Sequence, residues 1–90
     1  MARKGLSSFT TTEQNNIVIN YKLYDTIIVK IINNKMILNS GGWQTKHTKN
    51  CINDVLPSGH VIFQKDFSWF VSLPKNVTIN FTDNMIIILN

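Results

Sequence analysis

The side chains best suited to chemistry are crowded into one stretch, "NSGGWQTKHTKNCIND" (39–54). If the stretch from Thr45 is helical, His47 and Cys51 stand four residues apart on one face, within reach of each other. A thiol and its general base need that proximity. Nothing near His47 in the sequence orients it for that task, and Cys51 borders an apolar stripe. Cys51 therefore reads as a small buried thiol.

The second chemistry of this stretch is electrostatic. Lys46, His47 and Lys49 lie in the first turn of the expected helix, where cations oppose the helix dipole by about 0.3–1 kcal/mol each. An anion would be welcome there. A helix start leaves four N–H groups free, and with Gly41-Gly42 before them and Thr45, Thr48 and two lysines beside them they form a phosphate cradle. The spacing is not that of a Walker A loop. A plainer account makes Gly41 and Gly42 a tight turn and the lysines a solubilising face.

Aromatic residues supply the third. In simple alternation, and unless the turn reverses the phase, "VIFQKDFSWFV" (61–71) sets Phe63, Lys65, Phe67 and Trp69 on one side of a sheet. Rings alternating with cations suit single-stranded nucleic acid, in which each stacked base is worth about 1–3 kcal/mol. Trp43, Phe67 and Trp69 are the stacking candidates, with Lys65 adding charge and Arg3 and Lys4 following the phosphate backbone. Phe63, Phe70 and Phe81 are expected in the core. Two histidines, five scattered acids and one cysteine suggest no metal site, no cofactor and no enzyme.

The elements that must position these groups are mostly strands. Thr45 is a fitting N-cap for a helix over 45–56, with Thr48, Cys51, Ile52, Val55 and Leu56 as its apolar stripe and Pro57 as its stop. "IVINYKL" (17–23) alternates, with Ile17, Ile19, Tyr21 and Leu23 on one face. "DTIIVKII" (25–32) and "MILN" (36–39) flank an Asn-Asn turn. Residues 60–73 read as a hairpin bent near Lys65-Asp66, followed by strands over 77–81 and 85–89. The expected fold is α+β, mostly β: one short helix packed on a bent antiparallel sheet. Residues 1–16, polar and without periodicity, read as a flexible N-terminal arm on a single domain over 17–90.

Ninety residues, 43% of them apolar, suffice for one small core. The net charge of +4 favours anionic partners. The lone cysteine fits a reducing compartment, the polar start reads as lacking a signal peptide and the apolar runs are short of a membrane span, so no membrane partner is expected.

Four blocks in order, "LYDTIIVKI", "LNSGGWQTKHTK", "FQKDFSWFV" and "FTDNM", resemble a family of small bacteriophage-encoded proteins. The family pattern is L-N-S-G-G-W-x-T-x-x-T-K, then a helix with I/M-N, then Y/F-Q-K-x-F-x-W-F/Y-V, then F-x-D-G-M. It falls here on Leu38, Asn39, Ser40, Gly41, Gly42, Trp43, Thr45, Thr48, Lys49, Asn53, Gln64, Lys65, Phe67, Trp69 and Asp83. The chain departs from it at Cys51 and Asp54, in the shortened "LPSG" loop and at Asn84. The resemblance implies a phage protein made in the host bacterial cytoplasm. From it follows the expectation of an accessory protein that binds RNA in preference to DNA and counters host defence, as an anti-CRISPR acting on an RNA-guided complex. The competing expectation is a protein-interaction module, a homodimer through "MIIIL" included, that inhibits a host enzyme without nucleic acid.

Overall fold

In a computed structural model describing residues 3–89, the chain runs β1 (Leu6–Glu13), β2 (Asn16–Leu23), β3 (Thr26–Ile32), β4 (Lys35–Leu38), α1 (Lys46–Val55), β5 (Val61–Lys65), β6 (Ser68–Leu73), β7 (Val77–Asn80) and β8 (Met85–Ile88). The strands form two antiparallel sheets, one of five strands ordered β1-β2-β3-β4-β8 and one of three ordered β5-β6-β7. The architecture is α+β and mostly β, with two sheets in place of one bent sheet.

Two-residue loops drive this topology. Gln14-Asn15, Tyr24-Asp25, Asn33-Asn34 and Asp66-Phe67 each join paired strands. Gln14, Asn15, Tyr24, Asn33, Asp66 and Phe67 all have positive φ, the conformation whose twist matches a hairpin.

β2 alternates, but the expected face is buried only at its far end, and over residues 17–20 the buried side chains are Val18 and Asn20 of the opposite face. Leu23 is buried and Tyr21 packs against the core, whereas Ile19 and Ile17 run past its end and are 38% and 72% exposed. Opposite β2, β3 carries a bulge: Tyr21 pairs with Val29 and Lys22 with Ile27, leaving Ile28 as the extra residue. The bulge lets both Ile28 and Val29 bury completely.

The core is shared by all three layers. Leu23, Ile28, Val29, Met36, Leu38 and Ile87 come from the larger sheet, and Cys51 and Ile52 from α1. Ile62, Trp69, Val71 and Phe81 come from the smaller sheet and the loop after it. Thr45 caps α1 as expected, its hydroxyl accepting from the Thr48 N–H, and Thr48, Cys51 and Ile52 form the buried stripe. Asn53 ties α1 to β5 at two points: its side-chain amide donates to the Ile62 carbonyl at 2.9 Å and its oxygen accepts from the Ile62 N–H at 2.7 Å.

The N-terminal segment corrects the sequence reading. Residues 6–13 are a strand paired with β2 along its full length. Residues 3 and 4 dock on α1, where Arg3 is paired with Asp54 and the Lys4 carbonyl accepts from His47. The residues of β1 after Leu6 are all exposed, so the backbone ladder holds the strand without any apolar period to announce it. Of residues 1–16, Met1 and Ala2 lie outside the described residues.

Candidate nucleic-acid interface

The backbone of the loop between β4 and α1 is pinned at several points. Gly41 and Gly42 have φ of +67° and +83°, and the Trp43 N–H closes the turn on the Ser40 carbonyl at 3.1 Å. Both central residues of such a turn require positive φ, hence glycine. At Gly41 a Cβ would also come within 2.6 Å of the Thr26 side chain.

Four polar side chains lock the turn. Asp83 accepts from both the N–H and the hydroxyl of buried Ser40, each at 2.8 Å. Asn39 accepts from the Gly41 N–H and donates to Asn84, and the Ser40 hydroxyl accepts from the Gly42 N–H. The product of this scaffolding is Trp43, 68% exposed.

Trp43 stands beside a cleft of about 430 Å³ lined by Tyr24, Asp25, Thr26, Trp43, Thr45 and His47 over a floor of Leu23, Ile28, Ser40 and Thr48. Tyr24 has φ of +53°, and its ring sits over Gly5, where a Cβ would meet it at 2.5 Å. The ring lies 6.5 Å from that of His47. On the other side of the same loop, Gln44 and Phe67 line a second, shallower groove. Trp43, Thr45 and His47 therefore line one cleft, with Gly41, Gly42 and Lys46 beside them along the chain, and Phe67 lines the neighbouring groove with Gln44.

Lys49 and Lys65 line neither groove, and Trp69, Arg3 and Lys4 are placed otherwise. Trp69 is only 4% exposed and packs edge to face on Phe81 at 5.2 Å. The reason is the two-residue Asp66-Phe67 loop, which sets Lys65 opposite Ser68 and Phe63 opposite Phe70. Parity reverses across the bend, so Lys65, Phe63 and Phe70 share one face while Trp69 turns inward. Phe63 and Phe70, expected in the core, stack on each other at 5.7 Å and are half-buried; Phe81 is buried. Arg3 is engaged by Asp54, Nε to Oδ2 at 2.6 Å with Nη2 to Oδ1 at 3.4 Å. That hydrogen bond holds the Asp54 carboxyl below its ordinary pKa. Lys4 is exposed, but its backbone is fixed against His47.

Phe67 has the opposite fate to Trp69. It is 94% exposed with φ of +67°, a conformation a bulky side chain rarely adopts. Backbone strain kept for a fully solvated ring points to a use for that ring.

The first turn of α1 carries no acid, and Thr45 has already taken the Thr48 N–H. His47 and Cys51 do approach, Nε2 to Sγ at 3.7 Å. The same Nε2 lies 2.8 Å from the Lys4 carbonyl, which only accepts, so Nε2 carries the proton and cannot receive one from the thiol. Burial pushes the Cys51 thiol up from its ordinary pKa. Among the described residues, no three of His, Cys, Asp and Glu cluster as metal ligands would, and no helix is long and apolar enough to cross a membrane.

Tyr24, Asp25 and Asp83 belong to this end of the molecule and were not among the expected site residues. The signal for them lay in the "LYDT" and "FTDN" blocks, which the fold brings against "NSGGW".

None of the curated proteins and none of the solved structures matches the chain. The Kyanoviridae Gp96 protein family matches residues 3–88. The chain belongs to the Kyanoviridae Gp96 family of bacteriophage proteins.

Proposed function

We propose that this phage accessory protein binds single-stranded nucleic acid, RNA in preference to DNA, through the end of the molecule that carries Trp43. The observation that carries the reading is Trp43 itself: a largely exposed indole on a loop pinned by Ser40, Asp83 and Asn39, beside the acid-free, lysine-bearing start of α1. A ring carried on a pinned loop costs little backbone entropy when a base stacks on it. In this reading one base stacks on Trp43 with Tyr24 and His47 across the cleft. Asp25 accepts from an exocyclic amine. Lys46 and Lys49 hold the flanking phosphates, and Phe67 offers a second stacking platform.

The protein is an accessory binder without catalytic chemistry. The protonated Nε2 of His47, spent on the Lys4 carbonyl, supports that reading. Membership of a phage family is consistent with a place of action in the host bacterial cytoplasm. The target in this reading is host defence, such as an RNA-guided complex, which would make the protein an anti-CRISPR. The alternative, inhibition of a host enzyme by protein contact alone, is favoured by the exposed side chains of Ile86 and Ile88 on β8.

Affinity for single-stranded RNA measured across a salt series tests the proposal. Each phosphate contact on a single strand contributes about 0.7 to the log–log slope, so K46A/K49A should reduce the slope by about 1.4. An unchanged slope removes the helix start from the site, and no binding at low salt removes nucleic acid altogether.

A further inference from the structure

The two sheets present four open edges, and three are blunted. β1 offers Ser, Thr and Glu13. The Ile62 N–H and C=O of β5 are both taken by Asn53. β7 follows Pro74 and a Lys75 of positive φ and carries Thr78 and Asn80. β8, Met85-Ile86-Ile87-Ile88, has no charge, proline or polar side chain, the usual protections of an edge.

Its backbone is open as well. The Leu89 N–H donates to the Asn34 carbonyl, and hydrogen-bonded pairs alternate along an antiparallel ladder. The next bonded pair with β4 is thus Met36 with Ile87; at Leu38 the regular ladder ends, its carbonyl accepting from the Asn84 N–H while the Met85 N–H donates to the Thr82 carbonyl. The N–H and C=O groups of Ile86 and Ile88 point away from β4, and β8 ends its sheet. Their side chains, 57% and 51% exposed, lie on the outer face next to half-buried Ile37.

We propose that β8 pairs antiparallel with β8 of a second copy about a two-fold axis at Ile87. Ile86 then faces Ile88 of the other copy, and Ile87 faces Ile87. This register is self-complementary: the four outward groups of each copy satisfy one another in four hydrogen bonds. β-Branched residues meet in every cross-strand pair. An uncharged strand has nothing with which to select a charged peptide, whereas it matches its own copy group for group. The +4 charge of each chain does not oppose the pairing. Lys35, on β4 opposite Ile88, lies three strand spacings across and two residues along from its counterpart, about 16 Å away and beyond the screening length of about 10 Å at 0.1 M salt. The contact is independent of the nucleic-acid reading.

Sedimentation of nuclease-treated protein at high salt, where RNA cannot bridge chains, tests it. Wild type should sediment at twice the 10.3 kDa of one chain. I86K/I88K sets lysine against lysine and should sediment as one chain. I86K/I88E sets lysine against glutamate only in the proposed register and should restore the doubled mass. Amide exchange on wild type needs no variant: the Ile86 and Ile88 amides should be protected to the same degree as those paired with β4. A wild type of single-chain mass up to its solubility limit overturns the proposal, as do a doubled mass that survives in I86K/I88K and fast exchange at Ile86 and Ile88.

Discussion

Replacing Phe67 with glycine should make the protein more stable and a poorer binder. Phe67 occupies the second position of the Asp66-Phe67 loop with φ of +67° and is 94% exposed, so its removal leaves no cavity. An L side chain in this conformation costs about 1–2 kcal/mol, of which glycine is free. Glycine returns about 0.5–1 kcal/mol of that through the greater freedom of the unfolded chain. The net gain is about 0.5–1 kcal/mol, read as a melting temperature higher by about 2–8 °C for a domain of this size. If Phe67 stacks a base, the same variant loses about 1–3 kcal/mol of affinity for single-stranded RNA, a drop of roughly 5- to 150-fold. Thermal denaturation and an RNA titration on the same sample measure both. A lower melting temperature would mean that the ring is packed and the strain argument is wrong. A higher one with unchanged affinity would remove Phe67 from the interface. Trp69→Ala is the control: the ring is in the core against Phe81, so it should cost about 3–5 kcal/mol of stability.

Asn53→Ala leaves the Ile62 N–H and C=O without their partner and should lower unfolding free energy in urea by about 1–3 kcal/mol. Asp83→Ala removes the acceptor shared by the Ser40 N–H and hydroxyl. It should cost a similar amount, about 1–3 kcal/mol, and weaken RNA binding by freeing the Trp43 loop. The Arg3 hydrogen bond holds the folded-state pKa of Asp54 below its ordinary 3.8. Its stabilisation is therefore complete above that value and is lost as pH falls through the folded pKa below it. Wild type should be more stable than Asp54→Asn at neutral pH, with the difference in denaturation midpoint closing below pH 3.8. A difference that persists in stronger acid would count against the ion pair.

The local rules were readable wherever a side chain carried the signal. Thr45 as cap, the Thr48–Cys51–Ile52 stripe and the apolar run of β3 each announce themselves by residue type and period, whereas the period of β2 pointed to Ile17 and Ile19 where Val18 and Asn20 are buried. β1 does not, because an exposed Ser/Thr strand is specified by the backbone of its neighbour and leaves no pattern in its own residues. Trp69 was misplaced for want of one quantity, the length of the Asp66-Phe67 loop. A shift of a single residue there moves the whole following strand to the other face, and Asp-Phe is not a sequence that marks a two-residue turn. The Gly-Gly turn and the exposure of Trp43 were legible in outline. Their lock by Asp83 joins residues 43 apart in sequence, and the pairing of Arg3 with Asp54 joins residues 51 apart; spacing alone cannot announce either.

Tryptophan fluorescence during titration with single-stranded RNA tests the central claim most directly, because Trp69 is buried and Trp43 alone of the two indoles is open to a base. The account predicts saturable quenching in wild type that weakens as salt rises, and its loss in Trp43→Phe, in which Trp69 is the only indole. Quenching retained in Trp43→Phe, or none in wild type at low salt, would contradict a nucleic-acid interface at Trp43.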